Sequence, residues 1–540
     1  MSELVKDVGP CGDLAAETEA LLLEQGVDTE DFPPEALTHL PSLPWTIPQQ
    51  EIAGRRDLRH ECIFTIDPET ARDLDDAVSC TPLPGGALKV GVHIADVAFF
   101  VPEGSPLDHV ASSRATSVYL PDRVIPMLPR ALCEGVCSLL PGTDRLAFTV
   151  EWEVSAESLV TKEWFGRSVI RSCAKLTYQQ AQDVIEGGGL GEEVSAPHTG
   201  EAVAEVVRRL HGLAVVLRRR RYEGGALHLY QPKLCFEMDW GSGQPMGLAE
   251  AQGAQDSHHL IEELMLMANM AAAHRTSLAF PSMCVLRRHP PPLAGPMEGV
   301  VKALAAVGVP LDASSAGTLQ ASLAGHQGAV ALACAALCSK PMQNARYFVP
   351  GGGVGVGGEG EAWHYGLNVP CYTHFTSPIR RFPDVLVHRL LAATLDPPCP
   401  APSIAPAPLS RVCDHCNERK RAAKTVQEGA GELFLGLLVR KLGEMPQPGV
   451  VVQILDRSFD ALLLHLGLVR RVYTDNLPLQ HLHYAKGPLH PTLTLLWRGE
   501  GGRPPCTQRL TPLSHVEVTL RPYSNNNTSL RFNAILQRPA

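Results

Sequence analysis

The chain has 540 residues, 45% of them apolar, which is enough to bury a large core and suggests roughly two to four domains. Its formal charge of −10 argues against a protein that coats nucleic acid indiscriminately, because such binding is driven by phosphate neutralisation. Fifteen scattered cysteines read as reduced thiols, the N-terminus lacks a secretory pattern, and no run approaches the roughly 20 apolar residues of a bilayer span, so an intracellular, non-membrane protein is expected.

The first 45 residues are polar, end in the Pro-rich LPSLPW and read as a connecting segment. Strands are predicted at CIFTI and at LKVGVHIADVAFFV, separated by the turn residues Pro84, Gly85 and Gly86. Cys133 and Cys137, four apart in an apolar segment, read as buried core cysteines. Apolar residues at Val203, Val206, Leu210, Leu213, Ala214 and Leu217 keep helical spacing until Gly224 and Gly225. A second helix is expected from Ser257, as N-cap, through LIEELMLMANMAAAH, deeply buried on most sides.

Two low-complexity stretches, Gly351–Glu361 and Pro397–Pro408, read as flexible or extended surface insertions. A helical stretch follows from Leu409 to Leu442; it contains Cys413 and Cys416, read as ordinary thiols because no second pair stands at zinc-finger spacing. GVVVQILD, DALLLHLG and RRVYT then suggest short strands of a small β-barrel.

The chemistry concentrates in two places. Residues 61–80 carry six acids against one base, and Asp67, Asp73, Asp75 and Asp76 fall within ten residues between apolar strands. Such crowding is tolerable where cations neutralise it or water screens it. A solvated acidic loop predicts interchangeable Asp and Glu, whereas short, stiff aspartates suit Mg²⁺, which takes few protein oxygens and leaves positions for water and phosphate. Two such ions about 4 Å apart support in-line phosphodiester displacement.

The second place is CYTHFTSPIRRFPDVLVHRL, residues 371–390, with three arginines and one aspartate. Arg380 follows Ser377 and Pro378, residues typical of a helix start, and an arginine there would engage a phosphate through two parallel hydrogen bonds. A helix cap with a surface arginine pair explains this segment alone equally well. Pro383 is compatible with a helix starting at Pro378 only at a cost of about 3 kcal/mol; a start at Pro383 is less strained and leaves Arg380 in the preceding loop.

Together, FTIDPETARDLDDAVS, GVHIADV, RATSVYLPDRVIPMLPRALCEGVCSLLP and HFTSPIRRFPDVLVHR resemble, in order, the blocks of the RNase II, or RNB, family of 3′-to-5′ exoribonucleases. PWTIP, RRDLR, LRRHPPP and LNVPCYTHFTSPIRRF look closest to its cytoplasmic, exosome-independent eukaryotic branch that degrades uridylated RNA. The resemblance implies an α+β fold: an RNB catalytic domain over residues 46–395 with a mixed sheet and surrounding helices, a Pro-rich loop and connecting helix over 396–443, and an S1-like OB barrel over 444–540. The first 45 residues resemble only the linker after the family's cold-shock domains, so a short isoform, a fragment or an incomplete gene model is expected.

By the same resemblance, Asp67, Asp73, Asp75 and Asp76 match the metal-site aspartates, Asp75 and Arg380 the catalytic pair, and Arg380 and Arg381 the arginines on RNA. Tyr119 matches the aromatic that stacks on a base near the 3′ end, and also reads as a core aromatic. Glu262, or its neighbour Glu263, meets a ribose hydroxyl in this reading and a structural cation in the plainer one. His93, Asp96, His374 and His388 read as structural, and Arg218 to Arg221 as helix-end cations. The implied cofactor is Mg²⁺, with Mn²⁺ as its substitute; the implied partner is single-stranded RNA with a 3′ overhang, bound by a cytoplasmic monomer. A catalytically impaired RNA-binding protein is the alternative.

Overall fold

The computed structural model describes residues 6–38, 40–191, 194–249, 253, 255–351, 362–395, 403, 405–487, 489–499, 503–523 and 529–539. Most of the Gly-rich insertion and most of the Pro-rich one lie outside these residues.

A seven-stranded mixed sheet organises the larger part. Its strands are β1 (Arg56–Asp57), β2 (Ile63–Asp67), β3 (Asp76–Pro82), β4 (Leu88–Ala95), β5 (Asp144–Val154), β6 (Val160–Arg171) and β7 (Ala174–Thr177), in the order β1-β6-β5-β4-β3-β2-β7. Neighbours are antiparallel except β1 with β6 and β2 with β7. Central strands are apolar on both faces because helices cover them: six of the eight residues of β4 are buried. The strand expected through LKVGVHIADVAFFV ends at Ala95, and Val97–Phe100 turns helical, sending the chain off the sheet.

Five longer helices matter here: α1 (Leu14–Glu24), α2 (Gly200–Glu223), α3 (Asp256–Ala279), α4 (Phe382–Ala392) and α5 (Pro406–Leu442). Helices α2 and α3 pack on each other and reach β3 and β4 respectively. Ser257 is not the cap of α3. Gln255 holds that position without a side-chain capping bond, its amide group donating instead to Gln179 Oε1 at 3.2 Å, while the Ser257 amide donates to Gln182 Oε1 at 3.0 Å. The opening segment, expected as a connector, contains α1, whose Leu22 is sealed against Val426 and Ala430 of α5. No apolar periodicity announced this helix, because only one narrow stripe is covered.

Helix α5 begins within the stretch expected to be extended. Pro406 and Pro408 occupy its first turn, where the missing amides are unpaired anyway. Cys413 and Cys416 are buried free thiols in the larger core, as are Cys133 and Cys137. Further along, Leu435, Leu438 and Val439 enter the core of a closed barrel made of β8 (Met445–Ile454), β9 (Ser458–Leu463), β10 (Leu468–Tyr473), β11 (His515–Pro522) and β12 (Phe532–Leu536). A three-stranded sheet spanning Leu479–Leu510 is inserted between β10 and β11. The barrel is therefore OB-like, as expected. At Gly436 a Cβ would lie 1.7 Å from the Leu530 carbonyl oxygen, so only glycine lets α5 approach the barrel this closely.

Candidate active site

The four aspartates stand at one end of the sheet. Asp67 closes β2, paired with Thr177 of β7, and Asp76 opens β3 opposite Ile94. Asp73 and Asp75 sit in the loop joining these antiparallel neighbours. That loop is pinned by residues with no acidic signature: Ser138 Oγ accepts from the Leu74 amide at 3.1 Å and donates to the Arg72 carbonyl at 2.7 Å. Lys175 Nζ donates to the carbonyls of Glu69 and Ala71 at 3.0 and 2.7 Å. Ser138 and Lys175 are positioning residues that the sequence pattern did not single out.

Electrostatics at the loop are strained in one direction. Burial, followed by the charge of Asp67, pushes the Asp76 carboxyl up to about 7. Burial likewise pushes Asp67 up to about 6, partly offset by Thr65 and Lys175, and Asp67 Oδ2 is buried without a hydrogen bond. Asp75, buried, is raised well above the carboxylate range by desolvation despite Arg380 beside it. Asp75 Oδ1 accepts from the Ile379 amide at 2.8 Å and Oδ2 from Arg380 Nε at 3.2 Å. Asp73 Oδ2 accepts from the Tyr119 hydroxyl at 2.7 Å.

Arg380 comes from an irregular loop, since α4 starts at Phe382 with Arg381 as its N-cap and Pro383 in the first turn. Of the two helix starts weighed from sequence, the later one holds, and Pro383 deletes no internal hydrogen bond. The aim of Arg380 is set by Asp75 and by Ser377 Oγ, 3.0 Å from Nη2, and its side chain remains 42% exposed, so a ligand can reach it. Asp384 fixes the loop from below: it accepts from the Ser377 amide at 2.8 Å and from Arg381 at 2.9 and 2.6 Å. Arg381 is thus engaged by Asp384. Asn269 of α3, unremarked in the sequence, holds the loop's start by accepting from the Phe375 amide at 2.7 Å.

Tyr119 lies on a short hairpin strand opposite Val124, brought to the loop by its bond to Asp73. Glu262 stands further away along α3. Tyr178, directly after Thr177, stacks on His258 at 3.9 Å, and Glu262 follows one turn later. Arg221 Nη2 reaches Glu262 at 3.2 Å and the buried Glu263 at 2.5 Å, so the cation in the structural alternative is Arg221. Of the other arginines ending α2, Arg220 donates to the carbonyls of Glu157 and Ser158.

The four residues read as structural all have neighbours of that kind. His93 bridges Ser79 and Thr149 at 2.9 Å each, Asp96 pairs with Arg55 at 2.7 Å, His374 meets the Tyr347 hydroxyl at 2.6 Å, and His388 meets the Phe375 carbonyl at 2.8 Å.

As to a metal, the donor chemistry fits: hard carboxylate oxygens crowd one another, and one of them is orphaned in the interior. The geometry fits less well. Among the described residues no three His, Cys, Asp or Glu side chains are gathered closely enough to hold one ion as they stand, because Asp73 is turned to Tyr119 and Asp75 to Arg380.

The RNB domain matches residues 55–397, more than half of the chain. The chain belongs to the RNB family. The C-terminal domain of DIS3-like exonuclease 2 matches residues 443–529. The frog Xenopus tropicalis DIS3-like exonuclease 2 is 47% identical over 99% of this chain, which spans 65% of that relative's length. An Arabidopsis thaliana relative named inactive exonuclease DIS3L2 is 38% identical over 87% of this chain, covering 49% of its own. Among solved structures, Mycoplasma genitalium RNase R in complex with ribose-methylated single-stranded RNA superposes with a TM-score of 0.80 over 97% of this chain and 78% of that one, at 20% identity, a likeness of fold. This RNB chain contains no helix, among the described residues, that is long and apolar enough to cross a membrane.

Proposed function

We propose that this chain hydrolyses single-stranded RNA from its 3′ end, with 3′-uridylated strands as the preferred class and 5′-mononucleotides as products, in the cytoplasm and as a monomer. The observation that carries the reading is the convergence of the aspartate loop with Arg380, residues 305 positions apart in sequence and 3.2 Å apart in space. Mg²⁺, or Mn²⁺ in its place, when held by Asp67, Asp73, Asp75 and Asp76 would supply a polarised water and neutralise charge on the leaving oxygen.

The chain's own residues do the rest. Arg380, whose side chain is partly exposed, receives the scissile phosphate when it leaves Asp75. Tyr119 offers its ring to a base once its hydroxyl parts from Asp73, and base stacking of about 1–3 kcal/mol tolerates any sequence. Glu262, partly exposed, accepts from a ribose hydroxyl. Arg381, bound to Asp384, contributes mainly by holding the loop that aims Arg380.

A specific observation favours a second reading: two of the four aspartates are already turned to protein partners, which suits a catalytically impaired RNA-binding protein. A 3′-labelled oligouridine incubated with protein and Mg²⁺ separates the two. Release of labelled mononucleotide supports the enzyme, whereas a mobility shift without cleavage supports the binder.

A further inference from the structure

A second unbalanced group of charges surrounds Tyr347, and its sign is opposite to that of the aspartate loop. Tyr347 lies on a short strand whose register places Arg287 directly across from it. Asn417 of α5 fixes the tyrosine backbone from the other side, accepting from its amide at 2.7 Å and donating to its carbonyl at 2.8 Å. Nearly one turn further along α5 comes Lys420. The Arg287 guanidinium lies 5.2 Å and the Lys420 ammonium 5.8 Å from the centre of the Tyr347 ring.

Among the described residues neither Arg287 nor Lys420 has a carboxylate of its own in an ion pair. Arg287 Nη1 is buried without a hydrogen bond. The carboxylate that offsets Lys420 is Asp384, which is already bound through both oxygens to Arg381. Among the described residues, three basic side chains, Arg287, Arg381 and Lys420, therefore face one carboxylate. Burial, then Arg287 and Arg381, push the Lys420 ammonium down to about 6, so near neutral pH it takes up its proton when an anion joins the group. The face of one tyrosine offsets only part of this. Both Arg287 and Lys420 are half-buried and so within reach of a ligand.

We propose that Arg287 and Lys420 hold a phosphate oxyanion beside Tyr347, next to the loop that carries Arg380, and that this phosphate belongs to the RNA backbone. The assignment rests on the RNA-degrading reading above. An oxyanion supplies the missing negative charge and accepts from the orphaned guanidinium. Free orthophosphate has the same chemistry and is the other source.

The test is binding of a fluorescent oligouridine to the full chain in EDTA, where hydrolysis is stopped, across a salt series. Arg287→Met with Lys420→Met should weaken binding about tenfold or more and lower the slope of log affinity against log salt by about 0.7, the value for one single-strand phosphate. The melting temperature without RNA should not fall, since the substitutions remove uncompensated charge. Unchanged affinity and slope overturn the proposal. Orthophosphate raising the melting temperature of the parent but not of the double variant, with RNA affinity unaltered, overturns the backbone assignment. Should the double variant fold poorly, Arg287→Gln and Lys420→Gln singly carry the test: each lowers the slope, or the proposal falls. A parent that hydrolyses oligouridine with Mg²⁺ while the variants bind normally refutes only this inference; a parent that binds but never hydrolyses refutes the functional reading and leaves this one standing.

Discussion

The aspartate loop and the His93 ladder meet on strand β3 yet treat buried polarity in opposite ways. In the ladder, Ser79, His93, Thr149 and Ser168 join four neighbouring strands by bonds of 2.9, 2.9 and 2.7 Å. Glycine at position 91 makes room, because a Cβ there would sit 2.4 Å from Ser79 Oγ. A few residues away, the loop keeps acids crowded and one carboxylate oxygen unpartnered. Satisfied buried polar groups rigidify a fold, whereas unsatisfied ones cost stability and mark where a ligand completes the structure.

Substitutions can break this contrast from either side. Asp67→Asn has a large expected effect: oligouridine hydrolysis falls about a thousandfold, several kcal/mol of lost charge stabilisation, while the metal-free melting temperature rises because one mutually repelling charge is gone. Kinetics and calorimetry on the same sample check both signs, and a lower melting temperature would show that the loop is not strained.

His93→Ala should do the reverse. It opens a cavity and strips partners from Ser79 and Thr149, costing about 2–5 kcal/mol in chemical denaturation, with hydrolysis per folded molecule unchanged. A deficit confined to activity would move His93 into the site.

The pH dependence sharpens the same comparison. Burial holds His93 at about 3, far below its ordinary 6.5, so the unfolded chain binds a proton that the folded one refuses. Stability from this group is complete above pH 6.5 and declines as pH falls toward 3, by up to about 1.4 kcal/mol per pH unit. Denaturation midpoints between pH 6.5 and 5 should follow that slope, and His93→Gln should remove one histidine's share of it; an unchanged slope contradicts the assignment.

Tyr119→Phe is the mildest change. It keeps the ring and frees Asp73, so RNA affinity should stay within about threefold and stability should shift by about 1 kcal/mol in a melting experiment.

Much of this was legible because repulsion between short acids and the order of the surrounding blocks are properties of the chain itself. The strands flanking the loop, the two long helices and the barrel follow from apolar spacing. What spacing does not carry is the partner choice of side chains far apart in sequence. Asp384, Asn269, Ser138 and Lys175 aim or pin the site through bonds spanning from 3 to 106 residues, and none bears a pattern that separates it from an ordinary polar residue. The cap at Gln255 and the helix in the opening segment escaped for a related reason: a tertiary contact decides them. Pro383 showed the opposite, since the rigidity of one ring was enough to locate the start of α4.

The most direct measurement of the central claim compares Asp75→Asn with the parent on a 3′-labelled oligouridine, following binding in EDTA and mononucleotide release with Mg²⁺. Asp75 touches both halves of the site, the loop and Arg380. The expected result is binding within about threefold of the parent and hydrolysis reduced about a thousandfold or more. Near-normal hydrolysis by this variant would contradict the account.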